Sequence, residues 1–171
     1  MGNWEKVIAC LKELDIKPKL TSFQSKLIVQ KTVYLLASMG MKMEYPFNFY
    51  VRGTYSPKLT DDLYEHQKEF EALSGGEKLS EKEHEILEEY KREMGQTPDP
   101  AVLEIAAAYA FFFKQCGNDA KVATLKTKDA KPFFSETQFV QGINRAKALV
   151  YKPTQEELKK MKDEFKRWEG A

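Results

Sequence analysis

A mostly α-helical protein, a compact single-domain bundle of about seven to eight helices over residues 1–171 with one short strand or hairpin, is the fold class this sequence predicts. Apolar residues recur at helical spacing from end to end, and helix starts repeatedly carry capping residues. Only FNFYV, residues 47–51, has the aromatic and β-branched character of a strand. A chain of 171 residues can bury roughly 70% of its unfolded surface, and no Ser/Gly-rich linker or repeat divides it.

The elements follow in order. Trp4, Val7, Ile8, Leu11 and Leu14 share one face of a first helix that ends before or near Pro18. Phe23, Leu27, Gln30, Tyr34 and Leu35 mark a longer second helix stopping near Gly40. After the strand, Ser56 and Pro57 open a third, because proline at the first helical position sacrifices no hydrogen bond. Leu59, Leu63, Phe70 and Leu73 form its buried stripe and SGG closes it.

A capping box of Ser80 and Glu83 opens a fourth helix, with Ile86, Leu87, Tyr90 and Met94 inward and Gly95 at its end. The fifth starts at Asp99 and Pro100 and is apolar on every side from Val102 to Phe113, as a helix at the centre of a bundle reads. A shorter helix surrounds Val122 and Leu125, and KPFF interrupts. Ser135 with Gln138 caps a helix carrying Phe139, Ile143 and Ala146, and Thr154 with Glu157 opens the last, whose inner face is Leu158, Met161, Phe165 and Trp168. Eight helices result.

The composition narrows the function classes. A net charge of +1 conceals an acidic middle: residues 61–93 hold five Lys/Arg against twelve Asp/Glu, while residues 1–60 hold nine against four. Two Glu-rich helices facing solvent account for this. The longest nearly apolar run, Val102 to Phe113, contains Glu104 and falls short of the ~20 residues that span a bilayer. MGNWEKV lacks the apolar stretch of a secretory signal, and Lys6 stands where a myristoylation site has Ser or Thr, so a cytoplasmic protein is expected.

Cys10 and Cys116 read as free core thiols. His66 and His84 stand alone, without CxxC, HxxxH or HExxH spacing, so neither metal nor cofactor is expected. GxSxG, GxGxxG and the phosphate-loop pattern are all missing, and Gly75-Gly76 reads as a plain linker. No catalytic constellation emerges, which makes an enzyme the less favoured class.

FNFYVRGTYSPKLTDDLY, residues 47–64, concentrates aromatics, Arg52, a glycine suited to a left-handed turn and a helix amino terminus, ingredients of anion and peptide sites. The competing reading has Arg52 and Tyr55 pinning the strand to the helix while Phe47, Phe49 and Tyr50 fill the core. Gln30, on an apolar stripe, needs hydrogen-bond partners and is expected to clamp backbone groups of the strand and turn that follow.

VQKTVYLL and, some twenty residues on, FYVRGTYSPKLTDDLY resemble the YwgA-type proteins of bacteria and archaea, a group that is itself distantly similar to the Panacea, or SocA-like antitoxin, domain. The motif positions are Gln30, Lys31, Tyr34, Arg52, Gly53, Tyr55, Ser56 and Pro57, and the likeness covers roughly residues 24–65, with a weaker one over Val102 to Val150. Gly53-Thr54 stands where the Panacea pattern has Gly-Pro. The resemblance implies an all-helical neutralising module that binds a protein partner and has no catalysis of its own.

Three functions compete. A non-catalytic protein-interaction or regulatory module, antitoxin-like or phage- and defence-associated, is favoured. A nucleic-acid-binding regulator with a winged-helix-like amino-terminal part is the second, but the second helix is largely apolar and specific binding is not expected. The third is a small-ligand binder or enzyme built on the aromatics between Tyr45 and Tyr55, with Arg52 as an anion contact.

Overall fold

The computed structural model describes residues 2–51, 53–95, 99–150 and 155–170. Among them run α1 (Trp4–Glu13), α2 (Phe23–Ser38), β1 (Asn48–Tyr50), β2 (Gly53–Tyr55), α3 (Pro57–Glu65), α4 (Gln67–Ala72), α5 (Glu81–Met94), α6 (Pro100–Gln115), α7 (Ala120–Ala130), α8 (Glu136–Val150) and α9 (Gln155–Glu169). The mostly helical expectation holds, and the strand is half of an antiparallel hairpin pairing Asn48 with Tyr55 and Phe49 with Thr54.

Local chemistry sets most helix starts. Ser22, Ser56, Asp99 and Asp119 accept hydrogen bonds from the first-turn amides of α2, α3, α6 and α7. Both described capping boxes form: Ser80 with Glu83, and Ser135 with Gln138, each exchanging two bonds. Thr154, the expected cap of the last helix, lies outside the described residues.

α6 is the central helix. Val102, Leu103, Ile105 to Ala110 and Phe113 are buried, and α2, α7, α8 and β2 pack around it. Its alanines let α8 come close at Gly142, where a Cβ would stand 2.6 Å from Ile105 Cγ2 and 3.0 Å from the Val102 carbonyl. Only glycine fits that crossing.

Four expectations need correction. The third helix is two, because His66 leaves helical geometry (φ −115°, ψ 34°) with its ring stacked on Trp4 at 3.7 Å, and α4 begins beyond it. The described helices therefore number nine, eight of them of seven residues or more, in keeping with the expected count. Leu158, Met161, Phe165 and Trp168 are not an inner face: no residue of α9 is buried, and Trp168 is 82% exposed. Cys10 is in the core, but Cys116, at the end of α6, is only half-buried. Tyr50 does not fill the core either; it is exposed beside the hairpin tip.

Candidate functional site

The residues of the two sequence motifs meet where α2 passes beneath the hairpin. Ser56 ends the hairpin and caps α3, so its backbone must turn, and Gln30 holds that turn from below. The Ser56 amide donates to Gln30 Oε1 at 3.0 Å, while Gln30 Nε2 donates to the Ser56 carbonyl and to Thr60 Oγ1, each at 3.0 Å. The expected clamp is thus present, and it saturates the buried amide.

One residue further, Lys31 is 2% exposed and donates from Nζ to the Thr54 carbonyl at 2.6 Å. Lys131, at the end of α7, is as deeply buried and pairs with Glu104 of α6 at 2.8 Å, with its ammonium over the Phe49 ring. Both lysines converge on Gly53. A Cβ there would lie 3.1 Å from Lys31 Nζ and 3.4 Å from Lys131 Nζ, and φ of +92° is itself a conformation that side chains resist. Burial pushes the Lys31 ammonium down to about 8; Glu104 opposes the fall and Lys131 adds to it.

The hairpin divides the aromatic region into two clefts. The first, about 440 Å³, lies between α2, α3 and the hairpin, with Phe23, Leu27, Tyr50, Tyr55 and Tyr64 as walls. Gln30, Lys31, Thr54 and Thr60 also border it, and the tip residue Val51 is 98% exposed at its edge. Tyr50 and Tyr55 meet edge to face, 5.6 Å between centroids, and Lys26 donates to the Tyr64 hydroxyl at 2.9 Å. The second cleft holds Tyr34, Tyr45, Phe47, Phe111 and Lys114. There Tyr34 packs edge to face on Phe47, and Tyr45 donates to Asp62 at 2.7 Å, which together with burial raises its phenol above the ordinary value.

Of the motif positions, Gln30, Lys31 and Tyr55 line the first cleft, Ser56 is bonded to Gln30 and Gly53 lies over Lys31, Pro57 opens α3, and Tyr34 belongs to the second cleft. Arg52 lies outside the described residues. Sequence reasoning did not single out Lys131, Thr54, Lys26 or Tyr64. Glu104 did carry a signal, as the one charge inside the apolar run, since a carboxylate there needs a cation; nothing local marks Lys131 as that cation.

Comparison of the chain with protein-family models, curated proteins and solved structures returns no match. The site is accordingly read from its own geometry.

Proposed function

We propose that this chain is a non-catalytic protein-interaction module that receives an apolar segment of a partner protein in the cleft between α2, α3 and the hairpin. The observation that carries the reading is the state of the cleft's aromatic rim. Phe23, Tyr50, Val51 and Tyr64 are all exposed around one concavity, whereas the other exposed aromatics among the described residues, Phe133, Phe165 and Trp168, border neither cleft. Clustered exposed apolar residues with tyrosine and a neighbouring cation have the composition of binding hot spots.

The floor supports the same reading. Gln30 and Lys31 tie the hairpin to α2, so the rim is presented on a braced scaffold and little ordering cost falls on binding. An antitoxin-like role, as the YwgA and Panacea resemblance implies, is one form such a module takes. Groove reading by α2 is disfavoured physically, because Val29 to Leu36 are all buried and offer no polar face to nucleic acid.

The test is site-resolved photo-crosslinking in cells of the source organism. A benzophenone amino acid at Tyr64 or Tyr50 should yield one discrete heavier adduct, and the same group at exposed Glu85 on α5 should not. Tyr50→Ala and Phe23→Ala should remove the adduct formed from Tyr64 and leave the melting temperature within a degree or two of wild type. Adducts that form equally from Glu85, or that survive both rim substitutions, would overturn the proposal.

A further inference from the structure

The apolar stripe of α9 has no cover within the chain. No residue of this helix is buried, and Leu158, Met161, Phe165 and Trp168 are all exposed. None of the four lines either cleft. A helix of this length is marginal in water when nothing packs on it, because few residues propagate a costly nucleus. Its apolar line therefore calls for a partner surface, and the spacing says of what kind.

The intervals are three, four and three residues, which puts Leu158 and Phe165 at the a positions and Met161 and Trp168 at the d positions of two heptads. At about 100° per residue the four span an arc of about 80°, narrower than the face of a helix laid on a globular core. Every other residue of α9 is polar or charged. So narrow a stripe fits the matching stripe of another helix, each side chain entering the hole between four of its partner's. Among the described residues, no other helix exposes large apolar side chains at four successive a and d positions.

We infer that α9 is a self-association helix, pairing antiparallel with α9 of a second copy of this chain. Antiparallel pairing sets a against d, so Trp168 meets the second copy's Leu158 and Phe165 meets its Met161, each layer joining one aromatic to one aliphatic side chain. Parallel pairing would instead crowd Trp168 on Trp168 and Phe165 on Phe165 at one end and leave the slimmer layers at the other. The flanks permit the antiparallel pair: Lys162 faces Glu169 along one edge, and the like charges of Glu157 and Glu164 along the other are offset by Lys160 and Arg167, at i−4 and i+3 from Glu164. A parallel pair has no better balance, with Glu157 against Lys162 and Glu164 against Glu169, so the core layers choose the orientation.

The area sets the strength. A Phe or Trp side chain buries about 150–250 Å², so the four rings of two helices supply at most roughly 600–1,000 Å², to which Leu158 and Met161 add. That reaches the lower end of specific interfaces, about 1,000–1,200 Å², and makes the dimer weak and concentration-dependent rather than obligate.

The experiment is sedimentation velocity of the whole chain from about 1 to about 500 µM, the range in which so small an interface exchanges. The mass should rise from one chain toward two. Phe165→Ser combined with Trp168→Ser should hold it at one chain throughout and leave the melting temperature of dilute protein unchanged, while Tyr64→Ala on the rim of the first cleft should still dimerise. Orientation is read by disulfide trapping in Cys116→Ser protein, where the remaining thiol, Cys10, is buried. Met161→Cys mixed with Phe165→Cys should give a mixed disulfide dimer, identified by mass, well ahead of either variant with itself.

A mass that stays at one chain to the highest concentration, or a dimer that survives the double substitution, would overturn the inference. Faster trapping of each variant with itself would overturn the antiparallel pairing. Loss of the dimer in Tyr64→Ala would move the contact to the first cleft and overturn α9 as its site.

Discussion

The seam between α6 and α8 and the junction between α2 and the hairpin are both buried, but they are held by opposite means. At the seam Gly142 meets Ile105, and Ala106 and Ala146 are fully buried, so the helices approach closely and no charge intervenes. At the junction two lysines, a glutamate and an amide lie under the hairpin, and each of the four is held by a polar contact. Apolar packing is tolerant of direction and scales with area, whereas a buried polar group is worth little unless its partner is in place. The seam therefore supplies stability, and the junction supplies position to the cleft above it.

The sharpest break in that contrast should come from removing one member of the ion pair. Lys131→Met strands Glu104 in the interior and should cost about 3–5 kcal/mol in chemical denaturation. Adding Glu104→Leu should recover most of the loss, since an apolar pair of similar volume can replace a buried ion pair. A single variant no worse than the double would show that packing, not charge, holds Lys131.

At the seam, Gly142→Ala should cost about 1–3 kcal/mol, because the new methyl must displace Ile105 or spread the helices. For a domain of this size that lowers the melting temperature by roughly 2–4 °C per kcal/mol. Partner binding by the folded fraction should be unaffected, which separates the seam from the junction.

A smaller effect distinguishes the junction by pH. Burial brings Lys31 from its ordinary 10.5 to about 8, so between these values the unfolded chain holds a proton that the folded chain has released. Stability contributed by this group should rise with pH across that window, at up to ~1.4 kcal/mol per pH unit. Glu104 and Lys131 face the same ammonium, and the Cys10 thiol, pushed up to about 12 by burial, works in the opposite direction from about pH 9. The quantity to measure is therefore wild type minus Lys31→Met between pH 8 and 10. A flat difference would show that Lys31 is not held in the interior as described.

The least effect is expected at α9. In dilute protein, where α9 is unpaired, Trp168→Ser should change stability by no more than about 0.5 kcal/mol, since the ring is exposed and a surface substitution removes little packing. A loss several times larger, read by the same denaturation curves, would mean that this face is covered within the single chain.

Much of the helical framework was legible in the chain before any tertiary information. The Ser80–Glu83 and Ser135–Gln138 boxes, the Asp99-Pro100 start and the all-round apolar character of α6 are each readable within a few residues. Gln30 was legible too, because an amide on an apolar stripe demands partners and the next turn supplied them. Lys131 was not: it answers Glu104, 27 residues away, through folding alone. Nor was the break at His66, which has no proline or glycine beside it and follows the Trp4 ring from the other end of the fold.

By itself the sequence determined where helices begin, which faces are apolar and that one short aromatic segment is extended, because capping bonds and side-chain periodicity act between residues a few positions apart. The tertiary structure alone decided which apolar faces find cover. α6, apolar all round, is enclosed, while the periodic apolar stripe of α9 stays in water. It also decided that Lys31, Gly53, Glu104 and Lys131 share one interior, a convergence set by how helices cross, which no local pattern encodes.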